Sequence, residues 1–374
     1  MFSPMHVDIV VVNYRSAADS LQALMRLAPW PHGTVWLVDN SAHEADMATE
    51  TSALQSGSAP MPWVTLLRPG ENLGFGRACN LAFERSTAEF FLLLNPDARA
   101  SIEDVRLLVQ AMQADPALGA VSPKIFWNEQ RSFVLPVAFP QTPWCSVALA
   151  LATRFALATR WIARTKVNKT MRQMGLREVF RVSFLAGAVM MLRRAAVQSA
   201  GGLFDPDYFM FFEDSDLSLR LRRAGHHLAI VPTASAVHEY RHKAYKAGLM
   251  QTSQHQYFGK RFALFYRLSR KLSRVAALAK PMDPATWFRV LPHPITRVEE
   301  FSRLTGGARV LALSPSLLMM PAMVRPSRAA ARCFDESEWD LLEPSVYVAL
   351  LEDNNGEPRQ TWIYFERAGL GDQP

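Results

Sequence analysis

Two acidic clusters define the chemistry this chain can carry. Asn95-Pro96-Asp97 follows the apolar run Phe90–Leu94, and Glu213-Asp214-Ser215-Asp216 follows the aromatic residues Tyr208, Phe209, Phe211 and Phe212. A carboxylate directly behind a central strand emerges at the carboxyl edge of an open α/β sheet, where such sheets bind ligands. Asp97 in that place suits a divalent cation, which compensates charge on a diphosphate as a Lewis acid. Asp214, with Glu213 beside it, suits a general base, because aromatic neighbours exclude water from a carboxylate and raise its pKa. Acids at the start of a helix also favour its positive N-terminus, a purely structural use of the same residues. His238, at a strand end, is a second candidate ligand for the cation at Asp97.

A nucleotide needs its own contacts. Asn13 and Tyr14 follow the first strand, Asp39 and Asn40 the second, and polar exits at adjacent strand ends form a crevice. Asp39 is suited to accept hydrogen bonds from a pyrimidine imide; as part of Asp-Asn-Ser it also suits a turn. The loop Gly70-Glu71-Asn72-Leu73-Gly74-Phe75-Gly76-Arg77-Ala78-Cys79-Asn80 lets backbone and Arg77 approach phosphates, with Asn72, Gly74, Asn80 and Asn95 as further contacts. It resembles a dinucleotide fingerprint but follows the third strand and has Cys79 where a small residue belongs, which argues against a nicotinamide enzyme. The whole set fits sugar transfer from a nucleotide donor. Two readings from other classes compete with it. One is a non-catalytic nucleotide-sugar-binding subunit. The other is a zinc metalloprotease through His238-Glu239-Tyr240-Arg241-His242, which requires a helix where the approach from Ile230 looks extended.

The elements that must hold these residues are strands alternating with helices. Apolar runs at Val7–Val12, Val35–Val38, Val64–Leu67, Phe90–Leu94 and Ala120–Ile125 are separated by segments of helical spacing, the pattern of a mostly parallel sheet covered on both faces. Ser101 and Asp104 have the spacing of a capping box. Residues 140–181 read as a basic, Ala- and Leu-rich helical insertion able to fold over the site as a lid. Phe184–Leu192 reads as a strand, Asp216–Arg223 as a helix, Leu228–Val231 as a strand, and Gln251 to Leu278 as one long basic helix. Residues 1–280 form the catalytic domain in this reading, 281–295 a Pro-rich linker, and 296–374 a small β-rich unit. Within that unit Val346–Leu351 and Thr361–Phe365 flank the hairpin signal Asp353-Asn354-Asn355-Gly356.

Composition bounds the rest. With 374 residues, 49% of them hydrophobic, the chain can bury one large core and a smaller second unit. Its three cysteines, without CxxC spacing, indicate neither a disulfide framework nor a structural zinc site, and with no signal peptide in view a cytoplasmic location is the simplest reading. Cys145 to Ala163 and Ala308 to Val324 are apolar but broken by arginines and prolines, so no membrane span is expected. The net charge of +7 concentrates between Arg154 and Arg194, a segment suited to substrate phosphates or to peripheral contact with an anionic membrane. Nothing calls for a nucleic acid.

Taken in order, Val-Val-Asn13-Tyr14, Leu-Val-Asp39-Asn-Ser, Glu-Asn72-Leu-Gly74-Phe-Gly with Asn80, Leu-Asn95-Pro-Asp97, Phe-Leu-Ala-Gly187-Ala, Glu213-Asp214-x-Asp216-Leu and His238 resemble the inverting glycosyltransferase family 2, rhamnosyltransferase-like branch, over residues 7–268. The resemblance implies a GT-A fold, a nucleotide-sugar donor, dTDP-rhamnose being favoured over UDP- and GDP-sugars, and a Mg²⁺ or Mn²⁺ ion. It implies that Asp39 contacts the nucleobase, that Asp97 is the surviving carboxylate of a metal-binding D-x-D motif in which Asn95 replaces the other, that His238 binds metal or diphosphate, and that Asp214 is the base of a single inverting displacement. The acceptor it implies is a glycan or lipid-linked saccharide of cell-surface polysaccharide synthesis, met in the cytoplasm or at the inner membrane face.

Overall fold

The structure is a computed structural model and describes residues 6–41, 48–137, 141–241, 246–277, 283–325, 334–352 and 360–369. Its strands are β1 Val7–Asn13, β2 Val35–Asp39, β3 Val64–Leu67, β4 Phe90–Leu94, β5 Ala98–Ala100, β6 Leu118–Phe126, β7 Phe180–Val182, β8 Val189–Arg193, β9 His227–His238, β10 Arg289–Val290, β11 Arg309–Ser314, β12 Met323–Val324, β13 Ser345–Glu352 and β14 Gln360–Arg367. The helices are α1 Ala17–Arg26, α2 Ala48–Ser58, α3 Gly74–Arg85, α4 Ile102–Ala114, α5 Pro143–Ala152, α6 Ala156–Gly175, α7 Arg194–Ser199, α8 Glu213–Arg223, α9 Lys246–Arg261, α10 Ala263–Ala277, α11 Val298–Leu304 and α12 Glu336–Trp339.

The large sheet runs β3-β2-β1-β4-β8-β6-β9-β5, with β7 also paired to β9. Strands β1, β2, β3, β4, β6 and β9 point one way and β5, β7 and β8 the other, so the α/β sheet is mostly parallel. Successive residues of its inner strands pack to opposite faces, as the two-residue repeat of a strand requires. Val7, Ile9, Val11, Phe90 and Leu92 meet α1, α2 and α4 on one face. Val10, Val12, Phe91 and Leu93 meet α3, α7 and α8 on the other. Strands β1 and β4 are buried along their whole length, hence the unbroken apolar sequence of β4; in β1 the buried polar residues are Asp8, which accepts from the Thr34 N–H and the Trp36 indole, and Asn13. The Ser101–Asp104 capping box forms, and Asp104 Oδ1 also accepts from the Ser235 N–H at 2.7 Å, tying α4 to β9.

The second sheet, β10-β14-β13-β11-β12, has a core on each face. Strand β10 falls within 281–295, so part of the segment read as a linker is an edge strand; proline tolerates an edge because it needs no ladder donor there. Residues 140–181 are not a free lid either. Helix α6 packs Ala163 and Val167 against Leu311, Val324 and Trp362 of the second sheet. The two units are further joined through the buried Arg325–Glu338 pair, 3.0 Å, whose carboxylate accepts from Ser132 and Asn128 of the loop after β6. The hairpin signal 353–356 lies outside the described residues.

Candidate active site

The ends of β1 and β2 are fastened by Asn13. Its Nδ2 donates to Asp39 Oδ1 at 2.9 Å and to Ser41 Oγ at 3.1 Å, while its Oδ1 accepts from Ser16 and Ser20 at the start of α1. Its place in the sequence predicts a nucleotide contact; it is wholly buried and its amide positions Asp39 instead. Asp39 Oδ1 accepts from Asn13, the Ser41 N–H and the Ser41 hydroxyl, but its buried Oδ2 has no hydrogen-bond partner among the described residues. A buried carboxylate oxygen left without a donor costs about 1–3 kcal/mol or more, so Asp39 presents an acceptor that a ligand N–H would satisfy. Asn40 is similar, with Nδ2 on the Gly74 carbonyl at 3.0 Å and no partner for Oδ1 among the described residues. Tyr14, 40% exposed, lies beside these groups in sequence at the mouth of the sheet.

The glycine-rich loop is pinned against the aromatic run that precedes Asp214. Asn72 Oδ1 accepts from the Gly74 N–H at 3.0 Å, and the Phe75 N–H donates to the Phe209 carbonyl at 2.9 Å. Gly74 has φ +76°, and a Cβ there would lie 2.2 Å from the Phe209 oxygen, so only glycine closes this turn. Arg77 stands exposed on the first turn of α3. Asn80, another expected nucleotide contact, has both amide ends on the Phe204 backbone, at 2.7 and 2.9 Å, and serves to hold the loop before α8.

Asp97 and His238 do come together, although 141 positions separate them in the chain. Strand β5 pairs antiparallel with β9 so that Ala98 lies opposite His238, and His238 Nε2 reaches Asp97 Oδ1 at 3.2 Å. Adjacent ligands around a six-coordinate Mg²⁺ or Mn²⁺ lie about 3 Å apart for bonds of about 2.1 Å, so the pair fits such an ion. Among the described residues no group of three or more His, Cys, Asp or Glu side chains gathers to hold a metal. Oxygens from elsewhere, a diphosphate or water, would have to complete the shell. Asn95 is joined by its backbone to the next part of the site, its N–H donating to the Ala188 carbonyl at 2.8 Å.

Ala188 follows Gly187, whose N–H donates to Asp214 Oδ2 at 3.2 Å; Asp214 Oδ1 accepts from the Ser215 N–H at 2.7 Å. The apolar pattern predicts one strand over Phe184–Leu192, but β8 begins only at Val189 because the residues before it form this loop. Burial pushes the Asp214 carboxyl up to about 6, against these hydrogen bonds, which pull it down. Burial and the neighbouring Asp214 charge push Glu213 up to about 8, and its Oε2 has no hydrogen-bond partner among the described residues. Phe211 and Phe212 precede them with φ of 71° and 66°. That left-handed conformation costs a non-glycine residue about 1–3 kcal/mol, and the rings of Tyr257 and Phe258, 5.5 and 6.3 Å from Phe212, hold it in place. Asp216 is used differently, being fully buried and paired with Arg220 and Arg261. Ser41, Gly187 and Arg261 received no individual role from the sequence, although Ser41 was visible in Asp-Asn-Ser.

The zinc-peptidase motif is not built. His238 ends a strand rather than lying on a helix, and Glu239 pairs with Arg99 at 3.3 Å, while its N–H donates to the Asp97 carbonyl. His242 lies outside the described residues.

Residues 4–259 match the family described as glycosyltransferase like family 2. The chain belongs to that family. It is a glycosyltransferase enzyme. An N-acetylglucosaminyl-diphospho-decaprenol L-rhamnosyltransferase of Mycobacterium tuberculosis, found in strains CDC 1551 / Oshkosh and ATCC 25618 / H37Rv, is 30% identical over 256 residues, covering 65% of this glycosyltransferase and 78% of the relative. Among solved structures, GalNAc-T7 with UDP, GalNAc and Mn²⁺ aligns at a TM-score of 0.48 and 14% identity, over 75% of this chain and 53% of that one. The mannosyltransferase PcManGT from Pyrobaculum calidifontis, in complex with GDP-Man and Mn²⁺, aligns at 0.43 and 17% identity, over 76% and 80%.

Proposed function

We propose that this enzyme moves a sugar, rhamnose in the favoured reading, with inversion from a nucleotide-diphosphate donor to a saccharide carried on a diphospho-lipid. The observation that carries the chemistry is the Asp214 carboxylate, held by the Gly187 and Ser215 N–H groups and raised to about 6, so that it is ionised yet basic near neutrality. Support for the sugar and the lipid-linked acceptor comes from the name of the mycobacterial relative.

In this mechanism Asp39 Oδ2 accepts from the nucleobase and fixes the donor across the ends of β1 and β2. Asp214 takes the proton of the acceptor hydroxyl as that oxygen bonds to the anomeric carbon; the bond from that carbon to the diphosphate breaks on the opposite side, and the configuration inverts. Neutral Glu213 beside the base keeps a second negative charge away from it. Asp97 and His238 would hold Mg²⁺ or Mn²⁺, which supplies Lewis-acid compensation of diphosphate charge when bound. A lipid-linked acceptor implies work at a membrane face, in our reading the cytoplasmic one; among the described residues no helix is long and apolar enough to cross a membrane.

The test is release of nucleoside diphosphate from a panel of nucleotide sugars, with lipid-linked acceptor and Mn²⁺, by wild type and Asp214→Asn. A general base contributes on the order of 10²–10⁴-fold, so the variant should lose at least a hundredfold in kcat while still binding donor. Equal turnover by both proteins rejects Asp214 as the base, and donor binding without turnover by wild type rejects the proposed lipid-linked acceptor.

A further inference from the structure

We infer that helices α5, α6 and α10 form a docking surface for an anionic phospholipid bilayer, beside the acceptor side of the site. This rests in part on the lipid-linked acceptor proposed above. Residues 130–177 and 240–282 contain no Asp or Glu, yet they are rich in Arg and Lys. These two acid-free stretches meet in space, the Trp144 ring of α5 lying 6.4 Å from the Phe265 ring of α10.

The surface they present is apolar to a degree that water does not favour. Leu264, Phe265 and Leu268 of α10 are 76%, 52% and 49% exposed, Leu157 and Trp161 of α6 are each 70% exposed, and Trp144 is 42% exposed. Leu264 and Leu268, like Leu157 and Trp161, are four residues apart and share one helix face. Exposed Arg267, Arg270 and Lys271 flank the first pair and Arg164 the second. Leucine and tryptophan rimmed by basic residues, without an acid, form the pattern of a helix lying in the headgroup layer, where apolar side chains enter the acyl boundary and cations meet lipid phosphates. The charge selects the occupant: an acid-free basic rim complements an anionic lipid surface and repels a second copy of itself.

This corrects the basic segment read from the sequence. Arg193 and Arg194 turn inward onto backbone carbonyls of Leu118 and Ala88, at 3.2 and 2.7 Å, and are not available to phosphates. The surface is also joined to the base. Tyr266 of α10 lies against Phe258, which packs on Phe212, the residue before Glu213. A bilayer under α10 would therefore deliver a lipid-linked hydroxyl on the Asp214 side of the enzyme.

The test is co-sedimentation of the full chain with phosphatidylcholine vesicles, with and without phosphatidylglycerol, at low salt and without donor or acceptor. Wild type should bind the anionic vesicles and be released by salt, while Leu264→Glu/Leu268→Glu should lower the partition coefficient by about tenfold or more. Both positions are solvent-facing, and an unchanged melting temperature confirms that the variant is folded. Arg267→Glu/Lys271→Glu should lose anionic but not zwitterionic binding. Equal sedimentation with both vesicle types, or unaltered binding by the leucine variant, overturns the inference, as does a wild type that dimerises through this face and ignores vesicles. Because the assay involves no sugar transfer, its failure leaves the catalytic reading untouched, and failure of transfer leaves this result standing.

Discussion

If Asp214 is the base, its burial must appear as an acid limb in the rate. The carboxyl has an ordinary value of 3.8 and is raised to about 6, so the base form is lost as pH falls through 6. About nine-tenths of a group with that value is ionised at pH 7 and about one-tenth at pH 5, so kcat/KM should fall roughly tenfold between them. A carboxylate left at its ordinary value would lose less than about a tenth of its ionised fraction over the same interval. Glu213 refines the test. It is raised from 4.5 to about 8, first by burial and then by the Asp214 charge, and is neutral throughout the range in which Asp214 ionises. Glu213→Gln should therefore leave the midpoint near 6.

The same pair carries a stability signature of known sign. An acid whose folded pKa lies above its unfolded one contributes stability that is present below the unfolded value and lost as pH rises through the folded value. For Glu213 that window is pH 4.5 to about 8, and at 1.36 kcal/mol per pH unit the loss is at most about 5 kcal/mol. Urea unfolding at pH 5 and pH 9 should show wild type losing more stability on alkalinisation than Glu213→Gln. The assay for the rate is initial release of nucleoside diphosphate at low donor concentration, with circular dichroism confirming a folded protein at each pH. A kcat/KM flat from pH 7 to pH 5, or an acid midpoint that drops in Glu213→Gln, refutes the assignment of base and neutral neighbour.

Three other perturbations follow from single contacts. Asp39→Asn replaces a carboxyl whose Oδ2 has no partner among the described residues by an amide and should weaken nucleoside diphosphate binding about ten- to hundredfold by calorimetry, with kcat at saturation little altered. Gly74→Ala places a Cβ 2.2 Å from the Phe209 oxygen and should destabilise the protein by at least about 1–3 kcal/mol while raising KM for the donor, read by melting and kinetics together. Glu338→Ala leaves Arg325 buried without its carboxylate and should cost about 3–5 kcal/mol, seen as early unfolding of the C-terminal unit in proteolysis.

The sheet was legible where burial made the sequence uniform. Strand β4 falls where its apolar run places it, because a strand covered on both faces needs no polar positions. Legibility failed where tertiary pairing overrode local pattern. The strand read as Leu228–Val231 is longer: β9 runs from His227 to His238 across a register shift opposite Pro123 and Lys124, in keeping with the extended approach from Ile230, and that length brings His238 to Asp97. The long basic helix is instead α9 and α10, with Phe262 between them packed on Tyr257 and Phe258. The polar residues divided in the same way. Asn13 and Asn80 have the types and places of ligand contacts, but hydrogen-bond partners far away in the chain use up their amides. Spacing alone carries no record of such partners.

Glu213, Asp214 and Asp216 show why residue type could not decide role. All three sit on the first turn of α8, where the helix N-terminus favours ionised carboxylates. Asp216 receives the guanidinium groups of Arg220 and Arg261, whereas Asp214 receives N–H groups of Gly187 and Ser215. Two residues apart on a helix are separated by about 200° around its axis, so the arginines engage Asp216 on the side of the helix away from Asp214. Were one of them to face Asp214, an opposite charge would lower its pKa by about 1–3 units and reduce its basicity. The separation within one turn thus lets α8 be anchored by cations through Asp216 while desolvation still outweighs the helix dipole and the hydrogen bonds at Asp214 and keeps its pKa raised, as the proposed role of general base requires.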